Sequence, residues 1–180
     1  LSEGDRHAFV IHVDGKSPEP HAQLSAYALS RNRTLVMATG RQNVSWGGFN
    51  VVRATLNALD STFEKFEGTF DWIVTVSGYT YPLKSNTRIR EALSFFPSDT
   101  EFMEIRPQPN VPQPRAWHQY VECDNKMRRI YRMTPPYGID MFMGSQWMLI
   151  TPAFARYVVG DPVRAALRRH PVPREGLSDA

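Results

Sequence analysis

The chain has 180 residues, 42% of them hydrophobic, which suits one domain with a substantial core. Its net charge of +3 comes from basic residues that are spread along the sequence, so a nucleic-acid-binding surface is not indicated. Cys123 is the only cysteine, which excludes an intrachain disulfide, and no stretch approaches the roughly 18 apolar residues of a membrane span.

Two short apolar runs come first in chain order. Residues 9–13 predict a buried strand that ends at the turn Asp14-Gly15-Lys16, and residues 34–38 predict a second strand. Because helical and strand-like segments alternate from here on, the sequence predicts an α/β fold.

The strongest helical pattern follows Trp46-Gly47-Gly48, and Gly68 is placed to end that helix. Residues 72–77 predict the next strand, so residues 34–77 are predicted to form a right-handed β-α-β unit. One apolar stripe at three- and four-residue steps defines the helix: Phe49, Val52, Leu56, Leu59, Phe63 and Phe66.

The second half of the chain predicts two further helices. Asn86 is the predicted cap of a helix that runs to Phe96, and Thr151 is the predicted cap of one that ends before Gly160. Between them, strands are predicted at residues 102–105 and 142–150, and the four prolines of residues 107–116 predict a loop.

The segment 71–84 predicts a ligand site. Its apolar run stops at Ser77-Gly78 and passes through a Tyr-Thr-Tyr loop to a proline and Lys84. A polar loop at the carboxyl end of a buried strand is where α/β proteins bind ligands, although this alone names no reaction.

Two further positions are candidate nucleotide contacts. Asp14 could accept hydrogen bonds from a base or ribose, and the alternative is an Asx turn with its own backbone. Lys16 could balance the charge of a phosphate, and the alternative is a solvated lysine. The pair Gly47-Gly48 before a helix lets backbone N–H groups approach a ligand, whereas core packing is favoured for Trp46. Neither of the usual glycine-rich phosphate loops is present.

Metal and hydrolase chemistry are poorly supported, because the sequence has no D-x-D pair, no histidine ligand spacing and no nucleophile elbow. On a strand, Glu122 and Asp124 would face the same way and could bind a cation or perform acid/base chemistry. Ion pairs with Lys126 and Arg128 are the alternative, and Cys123 is interpreted as a packing residue.

Taken in order, these motifs resemble the Branch family of glycosyltransferases, which contains core-2/I-branching β-1,6-N-acetylglucosaminyltransferases and peptide O-xylosyltransferases. The segments around Glu122 and Ser145 look closer to the xylosyltransferase branch. Five landmarks carry the resemblance: His12-Val13-Asp14, Val44-Ser45-Trp46-Gly47-Gly48, Asp71-Trp72 with Ser77-Gly78 and Tyr81-Pro82-Leu83-Lys84, Tyr120-Val121-Glu122-Cys123-Asp124, and Gly144-Ser145-Gln146-Trp147 with Phe154 and Tyr157-Val158.

The resemblance implies a GT-A-like, Rossmann-type mixed sheet with flanking helices. It implies inverting transfer of GlcNAc or xylose from a UDP-sugar to a glycan or protein acceptor, with no metal and no other cofactor. It also implies a Golgi or secretory-pathway membrane location through a segment outside this chain.

By position, the resemblance implies donor-binding residues and a sugar or acceptor pocket that includes Glu122, the candidate catalytic carboxylate. The donor-binding residues are Asp14, Trp46, Gly47, Ser77 and Gly78. The pocket residues are Thr80, Glu122, Ser145 and Trp147.

The sequence departs from the family pattern in two places. Thr80 stands where many relatives carry an aspartate, and the family's first strand and its downstream Pro-x-Glu and basic segments find no match. We therefore expect residues 1–180 to be a partial domain, incomplete at both ends and inactive alone, with its core at 9–160 and a frayed tail at 161–180. The alternative is a catalytically impaired relative that binds a nucleotide sugar or glycan.

Overall fold

A computed structural model of the chain describes residues 7–30, 35–66, 70–107, 118–124, 126–132 and 142–160. These residues form a mixed α/β structure whose strands pair only two by two, rather than in one continuous sheet. In chain order the elements are β1 (Phe9–Ile11), α1 (Pro18–Leu29), β2 (Leu35–Met37), α2 (Phe49–Phe66), β3 (Ile73–Val74), α3 (Asn86–Leu93), β4 (Arg106–Pro107), β5 (His118–Cys123), β6 (Lys126–Arg132), β7 (Phe142–Met143), β8 (Leu149–Ile150) and α4 (Pro152–Val159).

The chain divides into two compact units. The first contains the described residues up to 66, together with 119–132 and 159–160, and the second contains those of 70–118 and 142–158. Gly68, most of the predicted loop 107–116 and the predicted tail 161–180 lie outside the described residues.

The first unit is built on a parallel pair, β1 and β2, joined by α1. Phe9 lies opposite Leu35 and Ile11 opposite Met37. Sequence analysis missed α1 because none of its residues is buried, so it carries no apolar stripe. The available signal was local, since Ser17-Pro18 is the pattern of a helix N-terminus.

The predicted β-α-β unit over residues 34–77 is wrong. In the described part of the chain β3 pairs with β8 in antiparallel orientation, with Ile73 opposite Ile150 and Val74 opposite Leu149. The parallel partner of β2 is β1 instead. Strand pairing depends on residues far apart in sequence, which apolar periodicity does not report.

Helix α2 has the predicted start and length, and Leu59 of the predicted apolar stripe is buried. Val52 departs from the prediction, because it is 43% exposed. The helix also buries Ala54 and Ser61, which lie off the stripe. The Ser61 hydroxyl accepts the Thr39 backbone N–H at 3.0 Å and so joins α2 to the chain that leaves β2.

In the second unit, the cap of α3 is Ser85 rather than Asn86. The Ser85 hydroxyl accepts the Arg88 N–H at 3.4 Å, and the helix ends at Leu93 rather than Phe96. The predicted strand over 102–105 is reduced to a bridge between Phe102 and Leu149, followed by β4.

The predicted strand 142–150 is two short strands, β7 and β8, separated by Gly144 to Met148. β7 pairs with β4 in antiparallel orientation, so that Arg106 lies opposite Met143. Gly144 lies tightly against this pair, because a Cβ atom there would be 2.2 Å from the Glu104 carbonyl oxygen.

Helix α4 begins as predicted. The Thr151 hydroxyl accepts the Phe154 N–H at 3.2 Å, which makes Thr151 the N-cap. The carboxylate of Glu101 accepts both the Thr151 N–H at 2.9 Å and its hydroxyl hydrogen at 2.5 Å. A carboxylate at a helix N-terminus is favourable for the helix dipole, so this end of α4 is doubly stabilised.

We expect Thr151→Ala to lower the free energy of unfolding by about 1–2 kcal/mol, because it removes a buried cap and the hydroxyl bonded to Glu101. Urea denaturation measures the change. Ser85→Ala, which removes the exposed cap of α3, is the matched control and should have the smaller effect. An equal effect of the two substitutions would contradict a special role for the pair Thr151 and Glu101.

Candidate functional site

In the first unit, the loop after β1 presents the Asp14 carboxylate. Its Oδ1 accepts the backbone N–H of Lys16 at 3.0 Å, the Asx-turn bond weighed as an alternative, and the N–H of Val44 at 3.3 Å. Its Oδ2 accepts the Lys16 ammonium at 2.9 Å. Asp14 therefore joins its own turn to the segment before α2.

Burial alone would raise the pKa of Asp14. The hydrogen bonds from Lys16 and Val44, together with the Lys16 charge, outweigh that effect and leave the pKa below its ordinary value. Asp14 is thus an anion at neutral pH and can act only as a hydrogen-bond acceptor towards a ligand.

Arg41 also holds the loop that carries Asp14. Its Nη2 donates to the carbonyl oxygens of Asp14 at 2.9 Å, Gly15 at 3.0 Å and Ser17 at 3.3 Å. Its Nε donates to that of Val13 at 3.4 Å. Four carbonyl groups of one loop thus share one guanidinium group, which fixes the backbone that carries Asp14.

His12 adds a second link between the two segments, because its Nε2 accepts the Gln42 backbone N–H at 3.1 Å. That bond requires an unprotonated Nε2. Burial lowers the pKa of His12, the Asp14 charge opposes this, and the Arg41 charge lowers it further, so the net direction is downward.

This pKa shift predicts a pH-dependent stability. Because the folded pKa of His12 lies below the unfolded value of 6.5, the stabilisation is complete above that pH and is lost as the pH falls through the folded pKa. We expect His12→Gln to flatten the dependence of unfolding free energy on pH as the pH falls below 6.5, since glutamine does not titrate.

Denaturation curves across this range measure the slope. A wild-type slope in His12→Gln would contradict the account of the Gln42 contact.

The turn between Val44 and Gly48 presents Trp46. The indole is 85% exposed, so the predicted core packing of Trp46 is wrong. Gly47 has a φ of +78°, a conformation that favours glycine. Next to the indole, the buried hydroxyl of Ser45 donates to Oε1 of Glu122 on β5.

The predicted acidic face of Glu122 and Asp124 does not form. β5 ends at Cys123, and Asp124 has a φ of +52°, so it lies in the turn after the strand and loses the strand alternation. The packing role predicted for Cys123 is also wrong, because its side chain is exposed. Glu122, by contrast, accepts a hydrogen bond from Ser45 in the Val44–Gly48 turn.

In the second unit, Thr80 joins the loop after β3 to Trp147. Its hydroxyl oxygen accepts the Ser77 N–H at 3.1 Å and the indole N–H of Trp147 at 3.4 Å. The Thr80 N–H donates to the Ser77 carbonyl at 3.0 Å. Thr80 thus shapes the loop that the sequence singled out.

Ser145 and Thr75 hold the segment that carries Trp147. The Ser145 hydroxyl accepts the Trp147 backbone N–H at 3.1 Å. The Thr75 hydroxyl donates to the Gln146 carbonyl at 2.7 Å and accepts the Met148 N–H at 2.9 Å. Gly78 has open space around it, since a Cβ there would meet no atom within 4 Å.

The predicted site residues therefore fall into two groups. The first unit brings together Asp14, Trp46, Gly47 and Glu122, and the second brings together Ser77, Gly78, Thr80, Ser145 and Trp147. Sequence reasoning missed the residues that hold these groups in place, namely Arg41, Ser45 and Thr75. Their bonds span 24 or more residues, and a polar side chain gives no local signal of a partner so far along the chain.

In the ranges that the structure describes, no three His, Cys, Asp or Glu side chains come together in a way that could hold a metal ion. No helix there has the length and apolar character that crossing a membrane demands. The expected metal independence stays a prediction.

Similarity to known proteins covers most of the chain. The family model described as Core-2/I-Branching enzyme matches residues 1–172. The chain is 29% identical to xylosyltransferase 2 of Canis lupus familiaris over 171 residues, and 28% identical to xylosyltransferase 2 of Homo sapiens over 170. It is also 26% identical to xylosyltransferase 1 of Rattus norvegicus over 155 residues.

These alignments cover 92%, 92% and 84% of the chain, in that order, but only 19% of each relative. The chain thus spans about a fifth of the length of the xylosyltransferases it matches. The family expected from the ordered motifs is confirmed, and the chain belongs to the Core-2/I-Branching enzyme family.

Proposed function

We propose that the protein is an inverting glycosyltransferase with a GT-A-like fold. It transfers xylose or GlcNAc from a UDP-sugar to a glycan or protein acceptor without a divalent metal. Family membership and the xylosyltransferase relatives support the reaction class. The observation that carries the donor assignment is the exposed Trp46 indole on a turn bonded to the anionic Asp14.

The chemistry of the first unit suits a nucleoside diphosphate. The Asp14 carboxylate accepts hydrogen bonds from the uracil N–H or the ribose hydroxyls, which are donors. The Trp46 ring stacks on the base, and Gly47, which lacks a side chain, lets the backbone approach the ligand.

The second unit carries polar groups of the kind that bind a carbohydrate. Ser77, Thr80 and Ser145 contribute hydroxyl groups, and Trp147 contributes an aromatic face. Because the Thr80 oxygen already accepts two N–H groups, it serves as a structural hydroxyl, and a hydroxyl is too weakly basic to deprotonate another alcohol at neutral pH.

Inversion is a single displacement. A carboxylate takes the proton of the acceptor hydroxyl as its oxygen bonds to the anomeric carbon, and the bond from that carbon to UDP breaks with the electron pair leaving on the diphosphate. The resemblance implies that Glu122 lies on the acceptor side. The proposal extends to a Golgi membrane location for the full-length protein.

Calorimetric titration with UDP in the presence of EDTA tests the donor assignment. We expect Trp46→Ala to weaken binding by about tenfold, the loss of one stacked base. Asp14→Asn should also weaken it, since the amide presents N–H groups where a ligand needs an acceptor. The control Tyr131→Ala removes another exposed aromatic of the same unit and should bind UDP as the wild type does. No UDP binding by the wild type, with or without divalent cations, would contradict the proposal.

A further inference from the structure

The Val44–Gly48 turn is held by carboxylates from two distant parts of the chain. The Val44 N–H donates to Asp14 Oδ1 at 3.3 Å, and the adjacent Ser45 donates its hydroxyl hydrogen to Glu122 Oε1. Trp46 follows directly and is exposed, whereas Ser45 is only 3% exposed. The exposed indole therefore stands on a turn with two buried or half-buried anchors.

The second oxygen of Glu122 lies against the end of the same turn. A Cβ atom on Gly48 would be 3.1 Å from Glu122 Oε2 and 3.2 Å from the Ser45 carbonyl oxygen. The Gly48 N–H closes the turn by donating to that Ser45 carbonyl at 2.9 Å. Glycine at this position leaves the space that the carboxylate occupies.

We infer that Glu122 is a positioning residue: through Ser45 it holds the Val44–Gly48 turn and so fixes the Trp46 indole, and it does not act as the base of the transfer reaction. One of its oxygens accepts the Ser45 hydroxyl hydrogen, and the other lies close to Gly48 at the end of the turn. A hydrogen bond from a buried hydroxyl to a carboxylate is one of the stronger neutral-to-charged bonds, which suits an anchor. The link to donor binding rests on the proposed function.

The two roles respond differently to Glu122→Gln. Glutamine keeps a side-chain oxygen that can accept the Ser45 hydroxyl, but it cannot take a proton from an acceptor. A positioning role predicts that Glu122→Gln keeps the UDP dissociation constant within about threefold of wild type. It predicts that Glu122→Ala and Ser45→Ala weaken UDP binding by about tenfold, as expected for loss of a hydrogen bond to a charged group.

A readout that needs no nucleotide separates this inference from the proposed function. Amide hydrogen exchange of residues 44–48 should become faster in Glu122→Ala and in Ser45→Ala, and should stay at the wild-type rate in Glu122→Gln. Glu19→Ala, which removes an exposed carboxylate on α1 of the same unit, is the control and should leave the exchange unchanged.

Unchanged exchange of residues 44–48 in Glu122→Ala would overturn the inference, whether or not the protein binds UDP. A fall in kcat of about 100-fold in Glu122→Gln, with UDP binding unchanged, would also overturn it, because that is the signature of a lost catalytic base. If the wild type fails to bind UDP while the exchange pattern is as expected, the positioning role of Glu122 is supported and only the donor assignment is contradicted.

Discussion

Replacing Gly144 by alanine is expected to lower the free energy of unfolding by about 2–3 kcal/mol. The new Cβ atom would lie 2.2 Å from the carbonyl oxygen of Glu104, far inside van der Waals contact. That oxygen belongs to the backbone and cannot rotate away as a side chain would, so β4 and β7 must move apart. Urea denaturation followed by circular dichroism measures the loss.

Gly78→Ala is the matched control for this prediction. A Cβ atom on Gly78 would meet no atom within 4 Å, and its φ is not in the left-handed region. We expect its unfolding free energy to stay within about 0.5 kcal/mol of the wild type. Equal destabilisation by the two substitutions would show that the Glu104 contact does not limit residue 144.

Arg41→Ala is expected to lower the unfolding free energy by about 2–4 kcal/mol. It leaves four carbonyl groups of the Asp14 loop without their common donor, and bonds to a charged group are worth about 1.5–3 kcal/mol each before solvent replaces some of them. Thermal or urea denaturation measures the change. Arg41→Lys should recover only part of it, because an ammonium group cannot span the loop as a guanidinium does.

Arg88→Ala is the control, since Arg88 forms an exposed i,i+3 pair with Glu91 on α3. Such pairs contribute little, and we expect a change below about 0.5 kcal/mol. If Arg41→Ala were no more destabilising than Arg88→Ala, Arg41 would not be holding the Asp14 loop.

Strong local signals in the sequence predicted the helices that they define. The apolar stripe and the preceding glycines place α2 correctly, and Thr151-Pro152 places the start of α4. Helix α1 was missed because it buries nothing, and the helix cap was placed one residue late at Asn86 because Ser and Asn are both good capping residues. Strand partners such as β3 and β8 are set by long-range pairing and could not be derived from periodicity.

The candidate site shows the same contrast between local features, which the sequence predicts, and long-range contacts, which it does not. The sequence predicted that the Asp14 turn and the Trp46-Gly47 turn would matter, because turn chemistry is local. It could not predict that Ser45 would bond Glu122, 77 residues away, nor that Arg41 would reach back 27 residues to Asp14. The exposure of Trp46 depends on the folded turn, so a preference for core packing that was based on residue type alone was wrong.

The central claim is that the protein transfers a sugar from UDP. Its most direct test is to incubate the full-length protein with UDP-xylose or UDP-GlcNAc, a serine-containing peptide or a glycan acceptor, and EDTA, and then to measure the glycosylated product by mass spectrometry. The account predicts a product carrying one added sugar of inverted anomeric configuration, from one of the two donors. Absence of product from every donor and acceptor pair, with divalent cations as well as without them, would contradict it.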